Sequence, residues 1–296
     1  MATTQVIQTT LSYFPSDVKR EIVVGTVGAY REPLDHKDMT IQDIRGHLSD
    51  FNLDVHGFQV MQHPSSFVSS SVDQTTIKEK MYPEAVEMLK QVTGATHAVV
   101  FSHMLRNEPY ETVQEMAAST EPNEKETHVF VPARGVHVDQ SEAGAHAVLN
   151  DKIDPEEVAR LAKTRWAIIN VWRPLKRVPR DPLAVCDARS INTDDLIEIH
   201  AMMPGPEEKD HDAITKGAGF GALYGKYSPA HKWYYMSDME PDEVMLIKCF
   251  DTKYDSNTAC RALHAAFVDP RTEHVKEVRE SLELRCFVFF EDEPLK

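Results

Sequence analysis

From residue 97 to residue 290 the chain is a succession of short apolar runs of strand length, and few helical patterns interrupt them. Residues 97–101, 166–174, 182–187, 233–236, 244–250, 262–268 and 281–290 each read as a strand, and the second stops at Pro174. Because no strand–helix–strand unit repeats, the pattern predicts a mainly β fold. A double-stranded β-helix, the jelly roll of cupin-like proteins, fits better than a doubly wound sheet. Two helical stretches flank it. One spans residues 73–90, with Pro83 near a helix start, Ala85, Met88, Leu89 and Val92 at helical spacing, and Gly94 as the stop; the other runs from Asp154-Pro155-Glu156-Glu157 to about Lys163. Before residue 70, the runs at 21–27, 43–46 and 57–64 suggest two further short strands. The expected organisation is one domain over residues 1–296. Residues 1–95 pack strands and helices on a barrel formed by residues 96–296.

Composition narrows the functional classes. Hydrophobic residues make up 42% of the 296 positions, enough for a substantial core. No apolar run approaches the length of a membrane span, and the first residues lack the basic-then-apolar pattern of a signal peptide, so a soluble, cytoplasmic protein is expected. The formal charge of −15 disfavours nucleic acid and anionic lipid as partners and says little about a small-molecule substrate, which is the expected partner; a homodimer stays open. Cys186, Cys249, Cys260 and Cys286 lie far apart in apolar surroundings and read as buried thiols. Gly217-Ala218-Gly219-Phe220-Gly221 lacks the dinucleotide spacing and reads as a flexible loop. The loop spanning residues 202–228 is the expected seat of substrate specificity.

Chemistry concentrates in Pro132-Ala133-Arg134-Gly135-Val136-His137-Val138-Asp139. In a strand, His137 and Asp139 share a face while Val136 and Val138 turn to the other. One imidazole and one carboxylate side by side are two thirds of the 2-His-1-carboxylate set that holds non-haem iron. With 14 His in the chain, about one His-x-Asp is expected by chance, and a second, His36-Lys37-Asp38, sits in a polar run that reads as a solvated loop. The residues alone leave two readings of His137 and Asp139 open, a metal site and a strand with a water-facing side. His264, between small apolar neighbours, is the favoured second imidazole; His231, before Lys232-Trp233, is the alternative, at a substrate entrance. Fifteen residues after His264 comes Arg279-Glu280-Ser281. Such an Arg suits the remote carboxylate of 2-oxoglutarate, because a planar guanidinium matches a carboxylate with two hydrogen bonds. Ser281 shares its face, and Arg285 is the second choice. Trp172, Trp233, Tyr234 and Tyr235, with Phe220 and Met236, are candidates for an apolar substrate pocket.

Taken together, several pieces carry a family resemblance: Asp43-Ile44-Arg45-Gly46, Gly57-Phe58, Val136-His137-Val138-Asp139-Gln140-Ser141, Asn170-Val171-Trp172-Arg173-Pro174-Leu175, Pro182-Leu183-Ala184-Val185-Cys186-Asp187, Trp233-Tyr234-Tyr235 with Pro241-Asp242-Glu243, and Arg279-Glu280-Ser281-Leu282-Glu283-Leu284-Arg285. In this order the chain resembles the fungal hydroxylase/desaturase family that includes gibberellin GA4 desaturase-like and cephalosporin methoxylase P8-chain-like proteins. The resemblance covers residues 43 to about 290. It implies a jelly-roll dioxygenase using Fe(II), 2-oxoglutarate and O2 to oxidise an unactivated C–H bond of a secondary metabolite, by hydroxylation or desaturation, with release of succinate and CO2. His137, Asp139 and His264 match the iron ligands and Arg279 the 2-oxoglutarate clamp; Arg173 either contacts the same co-substrate or braces the fold. One departure is plain: the family's Pro-His-Thr-Ala-Phe is Leu263-His264-Ala265-Ala266-Phe267 here, so a hydroxyl beside the metal is missing. Three rivals to this reading are an iron oxygenase that does without 2-oxoglutarate, a catalytically inactive cupin-like binding protein, and a zinc hydrolase built on the same three ligands.

Overall fold

A computed structural model describes residues 5–69, 72–202, 214–215, 219–255 and 257–295. Fourteen strands are found among them: β1 (Val6–Tyr13), β2 (Glu21–Val23), β3 (Asp35–Asp43), β4 (Phe58–Gln62), β5 (His97–Arg106), β6 (His137–Val138), β7 (Thr164–Pro174), β8 (Leu183–Cys186), β9 (Leu196–Met202), β10 (Phe220–Gly225), β11 (Trp233–Tyr235), β12 (Glu243–Asp251), β13 (His264–Ala266) and β14 (Ser281–Pro294). They form two sheets. The larger runs β1-β3-β11-β8-β13-β6-β10-β9-β2 and the smaller β4-β12-β7-β14-β5. In the larger sheet, β1 also bridges Gly135, and Val136 donates its N–H to the Ser12 carbonyl at 2.8 Å, so the sheet curls back on itself. The result is the jelly-roll core with flanking helices that the strand pattern predicts.

Alternation along β7 and β14 sorts the smaller sheet into two faces. Trp166, Ile168, Asn170 and Trp172 of β7, with Ser281, Glu283, Arg285 and Phe287 of β14, face the larger sheet. Ile169, Val171, Leu282, Leu284 and Cys286 face outward and are covered by the helix Tyr82–Thr93 through Ala85, Met88 and Leu89. That helix forms where the sequence predicts. Pro83 lies in its first turn, and Gly94, at φ 75°, takes the left-handed conformation that ends it. The helix Pro155–Leu161 is capped by Asp154, whose carboxylate accepts from the Glu156 N–H at 2.9 Å.

The structure also departs from the sequence reading. β1 and most of β3 were not expected, and neither were β9, the helix Tyr110–Ala118 or the helix Glu142–Lys152. His36 and Asp38 stand in β3 rather than in a loop; they remain solvent-facing, opposite Ser12 and Thr10. The described part of the glycine-rich run enters a strand, because β10 begins at Phe220. Much of the loop expected to set specificity lies outside the described residues. All four cysteines are free, three of them buried.

Candidate metal centre

β6 is only two residues long, and its place is fixed from both sides. His137 stands opposite His264 of β13 and opposite Tyr224 of β10. A Cβ on Gly135 would come within 2.7 Å of the Phe14 ring, so glycine is required where the chain enters β6. The backbone thus delivers His137, Asp139 and His264 to one point, with one ligand atom from each within 4.8 Å of the others. The imidazole centroids are 4.4 Å apart. Asp139 Oδ1 lies 3.3 Å from His137 Nε2 and 3.9 Å from His264 Nε2.

Each ligand is held by the atom that faces away from that point. His137 Nδ1 donates to the Gly135 carbonyl at 2.8 Å and His264 Nδ1 to the Ala262 carbonyl at 3.2 Å. A carbonyl only accepts, so both rings carry a proton on Nδ1 and turn Nε2 toward the shared point, where a metal would bind. His264 Nε2 is buried with no protein partner. Asp139 Oδ2 accepts from Asn170 Nδ2 at 2.8 Å and from Arg285 Nε at 2.7 Å, which leaves Oδ1 facing the imidazoles. Burial works to raise the Asp139 carboxyl, but Arg285 and His137 outweigh it and hold it well below the usual carboxylate range. Burial, with the neighbouring His137 next in size, pushes His264 down to about 3. Two imidazoles that turn Nε2 to one point and an ionised carboxylate beside them make a donor set suited to a divalent transition metal with open positions. The orphaned Nε2 of His264 is what such a metal satisfies.

The remaining predicted residues divide sharply. Arg285 is bound to Asp139 and pairs with Glu283 at 2.6 Å. Arg279 is fully buried; its Nη1 donates to the Asp181 carbonyl at 2.7 Å, and its guanidinium lies 5.4 Å from the Trp172 ring. Among the described residues no carboxylate pairs with it, and Nε is buried without a partner. Burial, then the charge of Arg106, pulls its pKa down to about 9. The Ser281 hydroxyl, on the same face as Glu283 and Arg285, is likewise buried and unpartnered. Trp172 is two residues from Asn170 on one face of β7, so Arg279, Trp172, Asn170 and Asp139 form one continuous inner wall.

One open alternative is decided here and one expectation is corrected. Arg173 does not reach the inner wall: its parity on β7 turns it outward, where it bonds the His63 and Pro241 carbonyls at 2.7 and 2.9 Å and Glu84 at 3.3 Å. It braces the sheet against the helix Tyr82–Thr93. Trp233 and Tyr235 do not line the metal side either. Tyr234 stands opposite Val185 and Val185 opposite His264, so Tyr234 shares the imidazole's face and its two neighbours point the other way. Trp233 donates to the Tyr13 hydroxyl at 2.8 Å inside the core. His231 belongs to the same core network, 3.1 Å from that hydroxyl, and is not a metal ligand. Phe220 is a core residue too. Met236 packs in the cluster that holds Trp172 and Val185, beside Tyr234. Asn170, Glu283, Arg134 and Asp181 were not singled out from the sequence. An Asn inside the apolar run of residues 166–172 is the one signal that was available, because a buried amide needs a partner.

With this geometry in place, comparison with known proteins is direct. Residues 15–289 match the family described as Oxidoreductase/YMDC permease-like domain. The chain is 45% identical over 294 residues to hydroxylase/desaturase asaB of Aspergillus flavus, covering 98% of both chains. It is 32% identical over 261 residues to the alpha-ketoglutarate-dependent dioxygenase phiK of a fungal species, covering 88% of this chain and 86% of that protein. The chain belongs to this fungal hydroxylase/desaturase family. The solved structure of the iron and alpha-ketoglutarate-dependent endoperoxidase NvfI superposes with a TM-score of 0.76 at 26% identity, over 98% of this chain and 99% of that one. Alpha-ketoglutarate is 2-oxoglutarate, so the family is that of the Fe(II)/2-oxoglutarate-dependent dioxygenases, and this chain is an oxidoreductase of that class. Among the described residues no helix is long and apolar enough to cross a membrane.

Proposed function

We propose that His137, Asp139 and His264 hold Fe(II), that Arg279 with Ser281 grips the remote carboxylate of 2-oxoglutarate, and that the enzyme oxidises an unactivated C–H bond of a small secondary metabolite. The observation that carries this reading is the pairing of two unsatisfied sites on one wall. One is a His-Asp-His set in which His264 Nε2 is buried without a partner; the other is a buried guanidinium without a carboxylate. Fe(II) with 2-oxoglutarate and O2 supplies the oxidising power, and succinate and CO2 are released. The chain's own residues set the geometry. The Gly135 and Ala262 carbonyls fix the imidazole tautomers, Asn170 and Arg285 keep Asp139 from rotating, and Arg279 fixes the far end of the keto acid so that its near end meets the metal. Trp172 and Tyr234 are the aromatic residues placed to guide the substrate, and their positions decide which hydrogen is closest, hence hydroxylation or desaturation. Free thiols among the described cysteines support a cytoplasmic location, and a homodimer is testable by sedimentation.

The test is anaerobic loading with Fe(II), then addition of O2, 2-oxoglutarate and a panel of family substrates. The expected result is one succinate per oxidised product. Substrate oxidation that proceeds without 2-oxoglutarate contradicts the reading.

A further inference from the structure

A buried guanidinium keeps its charge for a ligand only if no nearby carboxylate neutralises it. Arg279 has a carboxylate-bearing residue in direct contact, yet touches only that residue's backbone. Asp181 presents its carbonyl to Arg279 Nη1 at 2.7 Å, while both of its carboxylate oxygens are occupied elsewhere. Oδ1 accepts from Arg134 Nη2 at 2.7 Å and Oδ2 from Arg180 Nε at 2.7 Å. These two arginines are fixed in turn by the start of the helix Tyr110–Ala118: Arg134 lies 4.1 Å over the Tyr110 ring, and Arg180 pairs with Glu111. Asp181 is buried and adopts φ 50°, the left-handed region that a non-glycine residue occupies at a cost, and it precedes Pro182, which further restricts it. That conformation is what divides carbonyl from carboxylate. Arg134 is also three residues before His137, so the same hub ties the metal strand to the segment just before β14 that carries Arg279.

We propose that Asp181 is a positioning residue for co-substrate selection: it aims Arg279 through its carbonyl while Arg134 and Arg180 hold its carboxylate away, so Arg279 stays an un-neutralised receptor for a dicarboxylic keto acid. This rests on the proposed role of Arg279. It assigns to Asp181 the discrimination between 2-oxoglutarate and a keto acid that lacks the remote carboxylate. Pyruvate is such a probe, because it retains the metal-binding end and has nothing for Arg279 to grip.

The experiment is calorimetric titration of 2-oxoglutarate and of pyruvate into anaerobic Fe(II)-loaded enzyme, for wild type, Asp181→Asn and Arg180→Gln, with folding checked by circular dichroism. Asn tolerates the left-handed conformation, removes the charge and leaves one acceptor oxygen where Asp181 has two, so one of the two arginine bonds is lost. For Asp181→Asn the preference for 2-oxoglutarate over pyruvate is expected to fall by about tenfold or more, the scale of one charge-assisted hydrogen bond, with pyruvate binding unchanged. Arg180→Gln frees one carboxylate oxygen of Asp181 to compete for Arg279, and the preference is expected to fall by about threefold. Arg180→Gln gives the answer by itself if Asp181→Asn does not fold. A preference that stays within twofold of wild type in the folded variants overturns the proposal, as does an equal loss of both keto acids, which marks a merely structural role. Wild-type enzyme that binds 2-oxoglutarate no better than pyruvate overturns the reading of Arg279 itself.

Discussion

Two clusters of charge with buried centres sit against the smaller sheet, and they are finished to different degrees. At the start of β7, Arg165 bonds both oxygens of Asp251 at 3.1 and 2.8 Å and reaches the half-exposed Asp54 at 3.1 Å and Glu293 at 3.3 Å. Lys248 bonds Asp54 and Asp251 at 2.6 and 2.8 Å. None of these side chains retains a buried unsatisfied atom. Burial works against the Arg165 charge, and the Asp251 carboxylate outweighs it, so the pKa is raised overall. On the inner face, by contrast, His264 Nε2, Asn170 Oδ1, Arg279 Nε, Ser281 Oγ and Arg285 Nη1 are all buried without partners. A protein tolerates buried polar atoms when they are bonded, so the completed cluster reads as structure and the incomplete one as a receptor for something the chain does not itself supply.

Variants in the two clusters should therefore fail in opposite ways. The largest effect expected is on turnover: His137→Ala removes a metal ligand, and activity should fall by more than the roughly 100-fold that marks the loss of an outer partner, with the fold intact by circular dichroism. Asp251→Ala leaves Arg165 and Lys248 buried beside fewer carboxylates. It should lower stability by about 3–5 kcal/mol in a urea melt while the folded fraction still binds iron. Asn170→Ala lies between the two, since it removes one of the bonds that hold Asp139. A loss of about 10- to 100-fold in Fe(II) affinity is expected with only a small change in the melt; the reverse result would place Asn170 with the structural cluster.

The smallest effect is a pH dependence of the iron-free protein. An unfolded imidazole takes up its proton near pH 6.5, whereas the folded His264 does so only near 3. Acidification between those values therefore adds protons to the unfolded state alone, and stability should decline from about pH 6.5 downward. His264→Ala should show a shallower decline across the same window by thermal melts. Equal slopes for the two proteins would contradict the assignment of a neutral, buried imidazole.

The contrast also explains what the sequence made legible. The period-two rule alone put His137 and Asp139 on one face, and the apolar setting of His264 picked it over His231, because both signals are local. Which face of β7 carries Asn170 and Trp172, and hence that Arg173 looks outward, depends on parity within a run that is apolar on both faces apart from Asn170, where alternation leaves almost no trace. Trp233 and Tyr235 were misplaced for a related reason. Their direction follows from the register of β11 against β8, and pairing between segments nearly fifty residues apart is not written in either segment. β1 and β3 were missed because their exposed positions are polar: β3 opens with Asp35-His36-Lys37-Asp38, which reads as a loop until β1 is laid beside it. Asp181 gave no signal at all, since a left-handed residue before proline runs against local preference, and the arginines that bond it, Arg134 and Arg180, include one nearly fifty residues away.

The central claim is that the His137, Asp139 and His264 part of the unfinished cluster is completed by one iron. Anaerobic calorimetric titration of Fe(II) into metal-free enzyme tests it most directly. One site per chain is expected in the wild type, lost in His264→Ala and retained in Asp251→Ala under conditions where that variant is folded. Unchanged Fe(II) binding by His264→Ala would contradict the account.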